Sequence, residues 1–140
     1  MSFLIDTNVV SDLRRGDRAP ASLIEWFDAQ PSNALFLSVV TLGEIRQGIE
    51  QLRGRDARQA AVLDRWVGGI VQFYEDRLLY IDATVAEEWG RLRAQRSVPV
   101  VDALLAATAR VHRLTLVTRN VRDFKTLGVR LLNPYVAAGS

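Results

Sequence analysis

The sequence predicts an α/β fold, a parallel sheet covered by helices on both faces, and two features point to it. Five short apolar runs bounded by turn or cap residues alternate with stretches whose apolar residues recur at three- and four-residue spacing. None of the five alternates apolar with polar residues, so each strand is expected to be buried on both sides, as in a sheet between helical layers.

The predicted strands are Phe3 to Ile5, Leu35 to Leu37, Leu78 to Ile81, Leu114 to Val117 and Arg130 to Leu132. Helical patterns lie between them at Val9 to Arg14, Ser22 to Ala29 and Leu42 to Leu52, then through Leu63, Trp66, Val67, Ile70 and Tyr74. Others follow through Val85, Trp89 and Leu92, over Val101 to Val111, and briefly over Val121 to Leu127. Gly68 and Gly69 together cost about 2 kcal/mol of helix propensity relative to alanine, which predicts a kink or split there. The aromatic residues Trp26, Phe27, Trp66, Phe73, Tyr74 and Trp89 fall on apolar helical spacing and read as packing rather than as a platform for bases.

With 140 residues, 49% of them hydrophobic and 24% charged, the chain suits a single domain spanning 1–140 with one self-sufficient core. Zero cysteines exclude disulfides, thiolate zinc sites and cysteine nucleophiles. No apolar run approaches the roughly 18 residues of a membrane span, and Asp6 interrupts the apolar start, so a cytoplasmic protein is expected. A pI near 9.5 rests almost wholly on arginine and permits polyanion binding.

In a parallel sheet, ligands collect beyond the carboxyl ends of the strands. Asp6 follows the first strand, Glu44 lies in the first turn after the second, and Asn120 and Asp123 follow the fourth, while Asp102 opens the helix leading into that fourth strand. Magnesium or manganese takes hard oxygen ligands and keeps several waters, so Asp6, Glu44, Asp102 and one of Asn120 or Asp123 suffice to hold it. A dication there relieves carboxylate repulsion, activates water and neutralises a phosphate, a combination suited to phosphodiester hydrolysis. Each acid also has an ordinary explanation. Thr41 and Glu44 form a T-x-x-E capping box, Thr84 and Glu87 repeat it, Asp6 and Asp102 stand near helix starts, and Asp123 can close a turn.

Four stretches together carry a resemblance: FLIDTNVVSDL from Phe3 to Leu13, TLGEIRQGI from Thr41 to Ile49, VPVVDALLAATA from Val98 to Ala109, and LTLVTRNVRDFKTLGVRLLNP from Leu114 to Pro134. The chain resembles the PIN-domain ribonucleases, in particular toxins of VapC-type and FitB-type toxin-antitoxin pairs. The resemblance implies a three-layer α/β/α domain with strand order 3-2-1-4-5 and an acidic pocket beside the first and fourth strands. It implies metal-binding roles for Asp6, Glu44 and Asp102, a supporting role for Thr7, and weaker ones for Asn8 and Ser11. Asp82 and Glu87, after the outermost strand, are then ordinary helix-start residues. It further implies an endoribonuclease using Mg2+ or Mn2+, a homodimer, and inhibition by a small antitoxin encoded beside it.

One position departs from the pattern, because Asn120 stands where members often carry aspartate. Asp123, one turn on, is the candidate replacement for that charge. Arg119 and Arg122 are candidate phosphate binders, with Arg46 a weaker one, and His112 reads as a helix-end residue. Two alternatives stand beside the nuclease. An aspartyl-phosphate phosphatase needs a second acid where this chain has Asn8, and its sole lysine is Lys125. A binding module with a decayed site has Asn120 in its favour and three intact acids against it.

Overall fold

The computed structural model describes residues 1–136. The chain runs β1 (Phe3–Ile5), α1 (Thr7–Leu13), α2 (Ala21–Asp28), β2 (Leu35–Ser38), α3 (Val39–Arg53), α4 (Ala57–Phe73), β3 (Leu78–Leu79), α5 (Ala83–Gln95), α6 (Val100–Val111), β4 (Thr115–Val117), α7 (Val121–Phe124) and β5 (Leu131–Leu132). All strand pairs are parallel, in the order β3-β2-β1-β4-β5, so the expected α/β/α architecture and strand order both hold.

Side-chain alternation along the central strands builds two cores. Phe3, Ile5, Leu35, Leu37 and Val117 face α1 to α4, whereas Leu4 and Leu116 face α5 to α7. The small residues Ala103, Ala106, Ala107 and Ala109 are fully buried and bring α6 close to the sheet. Trp26 packs edge-on against Phe3, with centroids 5.0 Å apart, as expected of a packing aromatic. Among the described residues no helix is long and apolar enough to cross a membrane.

The structure corrects several local expectations. α4 is continuous through Gly68 and Gly69, because its remaining apolar face, including buried Ala60 and Val67, outweighs their propensity cost. α3 begins three residues before the predicted pattern: Ser38 caps it by accepting from the Val40 N–H at 3.0 Å, so Thr41 and Glu44 lie inside the helix and form no capping box. Asp82, rather than Thr84, caps α5 through the Val85 N–H, and Glu87 is exposed. At α6 the cap position is Pro99, which leaves Asp102 without a capping bond.

Candidate active site

β1 and β4 are neighbours at the sheet centre, with Ile5 against Val117. Continuing that register by one residue sets Asp6 beside Thr118, and the Asp6 N–H extends the ladder by donating to Val117 O at 3.0 Å. The Thr118 hydroxyl donates to Asp6 Oδ2 at 2.8 Å, and the Thr7 N–H donates to Oδ1 at 2.7 Å. Both oxygens of Asp6 are therefore oriented, and its side chain also caps α1, as the ordinary reading expected. Asp6 is only 6% exposed, and burial outweighs those two hydrogen bonds, so its pKa sits above the usual carboxylate range; the charge on Glu44 adds to the rise.

Glu44, one turn inside α3, accepts from the Thr7 hydroxyl at 2.5 Å. The Thr7 and Thr41 hydroxyls lie 3.1 Å apart. Since Thr7 has one hydroxyl proton and gives it to Glu44, Thr41 is the donor of that second pair. Thr41 is fully buried, and the chain Thr41, Thr7, Glu44 fastens α3 to α1.

Asp102 projects from the first turn of α6. Its pKa is also raised, first by burial and then by the charges on Asp6, Asp123 and Glu44. Four carboxylates thus share one electrostatic neighbourhood. Among the described residues no trio of acid or histidine side chains is drawn tightly enough to grip an ion directly. A cavity of about 360 Å³ opens beside Asp102, between the Arg96 to Pro99 segment on one side and Asp123 and Thr126 on the other.

The remaining predicted residues separate clearly. Asp123 lies in α7, exposed, with its charge felt at Asp102, whereas Asn120 precedes α7, donates its N–H to the Thr118 hydroxyl at 3.0 Å and makes no side-chain cap. Asn8, Ser11 and Arg122 are exposed, and none bonds to the acids. Arg119 is engaged elsewhere: it pairs with Asp12 at 2.8 Å and lies 4.1 Å over the Tyr135 ring, whose hydroxyl donates to the same Asp12 oxygen at 2.5 Å. Arg46 joins Glu50, Arg53 and Asp64 in a surface network between α3 and α4. His112 is the exposed C-cap of α6, as expected. Trp66, Ile70, Phe73 and Tyr74 line an apolar groove of about 270 Å³ with Val10, Leu13 and Phe27, away from the acids.

Thr118 and Arg96 were not singled out in the sequence, and Thr41 was read there only as a capping-box residue. Thr118 did leave a signal there: aligning the parallel strands FLI and TLV puts the next residues, Asp6 and Thr118, side by side.

A family model for the PIN domain matches residues 3–129. The chain belongs to the PIN-domain family. Among its relatives, plasmid stability protein StbB of Pseudomonas syringae is 32% identical over 96% of this chain and 99% of that protein. The VapC ribonuclease Y4jK of Sinorhizobium fredii is 29% identical over 97% and 99%. Toxin FitB of Neisseria gonorrhoeae is 28% identical over 95% and 98%, and a chain of the FitAcB crystal structure from that organism superposes over the same shares with a TM-score of 0.86. The resemblance read from the four motifs is therefore met across nearly the whole PIN-domain chain.

Proposed function

We propose that this PIN-domain chain is a divalent-metal-dependent endoribonuclease and the toxin of a toxin-antitoxin pair. The observation that carries the reading is the gathering of Asp6, Glu44, Asp102 and Asp123 around the ends of β1 and β4: burial raises the pKa of Asp6 and Asp102, and the neighbouring charges, Glu44 at Asp6 and Asp6, Asp123 and Glu44 at Asp102, add to the rise. The donor set is all oxygen and over-acidic, and a hard dication that retains its own waters suits carboxylates that stand apart. Asp6, Glu44 and Asp102 would hold Mg2+ or Mn2+, with Asp123, or the Asn120 amide oxygen, completing the set. When bound, the ion supplies a Lewis acid that lowers the pKa of water and neutralises charge on a phosphate.

The chain's own residues do the positioning. Thr118 and the Thr7 N–H fix the two oxygens of Asp6, and the Thr41–Thr7 pair aims Glu44. Asp102 and Asp123 border the open cavity, where a carboxylate is available to accept a proton from the attacking water. The phosphatase alternative gains nothing, because neither Asn8 nor Lys125 bonds to Asp6, and both are exposed.

RNA as the substrate is supported by the name of the VapC ribonuclease relative. The toxin role rests on FitB, named a toxin, and a cell carrying such an enzyme needs a partner that restrains it. The apolar groove between α1, α2 and α4 suits an apolar segment of that antitoxin, and a homodimer follows from the same resemblance.

The test is cleavage of a single-stranded RNA by the purified chain. Activity with Mg2+ or Mn2+ that disappears in EDTA and returns on adding metal is the expected result. Equal cleavage in EDTA would overturn metal dependence.

A further inference from the structure

We propose that the cavity beside Asp102 is a subsite for the nucleotide adjoining the scissile phosphate, with Arg96 as the side chain that takes that nucleotide's phosphate. The inference rests on the ribonuclease reading. An acid-walled site repels a polyanion unless a cation stands near it, so the question is which arginine is free to serve.

Most arginines near the motifs are committed. Arg119 is held by Asp12 and Tyr135, Arg46 by Glu50 and Asp64, and Arg110 by Glu88 and the Leu127 and Gly128 carbonyls. Arg122 and Arg96 both pair with no carboxylate among the described residues, but only Arg96 lines the same cavity as Asp102 and Asp123. Its planar fork is suited to a phosphate in a way that a lysine is not.

The wall carrying Arg96 is already formed. The Arg93 Nε–H donates to Val98 O at 3.2 Å and the Trp89 indole N–H donates to Val100 O at 3.3 Å, on either side of Pro99, while Val98 itself is buried. Ser97 and Thr126 add hydroxyls, and no aromatic side chain lines the cavity. Without a stacking surface the site reads sugar and phosphate rather than base identity. A volume of about 360 Å³ lies at the small end of ligand sites and admits one unstacked nucleotide rather than a base pair, which suits a single strand of the RNA that the ribonuclease reading supplies.

The experiment measures two quantities on the full chain: binding of a fluorescent single-stranded RNA oligonucleotide in EDTA as a function of salt, and KM and kcat for the same RNA with Mg2+. Arg96→Ala should lower the slope of log affinity against log salt by about 0.7, the loss of one phosphate contact on a single strand. It should raise KM roughly tenfold while kcat stays within about twofold, the signature of lost uniform binding. Arg96→Lys should restore the salt slope but only part of the affinity. Arg55→Ala, past the far end of α3, should change neither quantity. An unchanged slope and KM in Arg96→Ala, or an equal drop in Arg55→Ala, would overturn the subsite. If the wild-type chain binds RNA in an Arg96-dependent way yet cleaves none with metal, the Arg96 phosphate contact stands while the ribonuclease reading, and with it the place of the cavity beside a scissile phosphate, fails.

Discussion

Asp102 pays for its place near three other carboxylates. Its pKa is raised by burial and by Asp6, Asp123 and Glu44, so the folded chain holds that proton more tightly than the unfolded chain does. The contribution to stability is therefore fully present below the unfolded value near 3.8 and is lost as the pH rises through the raised folded value. Asp102→Asn should raise the melting temperature of the metal-free protein at pH 7 by about 2 °C, and the gain should vanish below about pH 4, checked by circular dichroism. At the neighbouring departure from the family pattern, Asp123→Asn should weaken Mn2+ binding and slow cleavage more than Asn120→Ala does. Asn120 has only a neutral carbonyl to offer, while the charge of Asp123 already reaches Asp102. Equal metal affinity in Asp123→Asn would assign that residue to α7 alone. The acids were readable in the sequence because charge after an apolar strand is conspicuous. Thr118 and Thr41 were not, since a hydroxyl at a strand end or in a T-x-x-E pattern has several cheaper explanations, and Arg96 lies outside every chemical motif.

At the scale of elements, periodicity located each helix and strand, and the errors trace to identifiable residues. Val39 and Val40 are β-branched and prolong the apolar look of β2, which hid the Ser38 cap and the start of α3 at Val39. Gly68 and Gly69 suggested a break, yet both face open space on a continuous helix. Gly68→Ala should accordingly stabilise the isolated chain by about 0.5–1 kcal/mol, read from urea midpoints. Gly128 is the opposite case. It has φ +65°, and an added Cβ would collide with the Arg110 guanidinium that bonds to the Leu127 and Gly128 carbonyls. Gly128→Ala should cost about 1–3 kcal/mol by the same measurement, and a neutral outcome would show that the Arg110 clasp contributes little.

For the whole molecule, alternation of apolar strands with helices was enough to predict a covered parallel sheet, but periodicity carries no information on strand order. That order came from the family resemblance, and it explains why Asp6, Glu44 and Asp102 share one neighbourhood while Asp82, beyond the edge strand β3, merely caps α5. The proposed partner is also a whole-molecule matter: co-expression with the adjacent small open reading frame should yield a stable complex with much slower RNA cleavage. A chain that is harmless alone and binds nothing from that frame would remove the toxin role and leave the nuclease. Whether the acid cluster is the reaction centre is decided by RNA cleavage by Asp6→Asn in Mg2+, with Mn2+ titration calorimetry on the same protein. Removing residues that merely orient a metal ligand costs roughly ten- to a hundredfold, so losing a ligand should lower cleavage by more than about a hundredfold and weaken metal binding while the circular dichroism spectrum is unchanged. Cleavage and metal affinity equal to those of the wild-type chain would place the reaction centre away from Asp6.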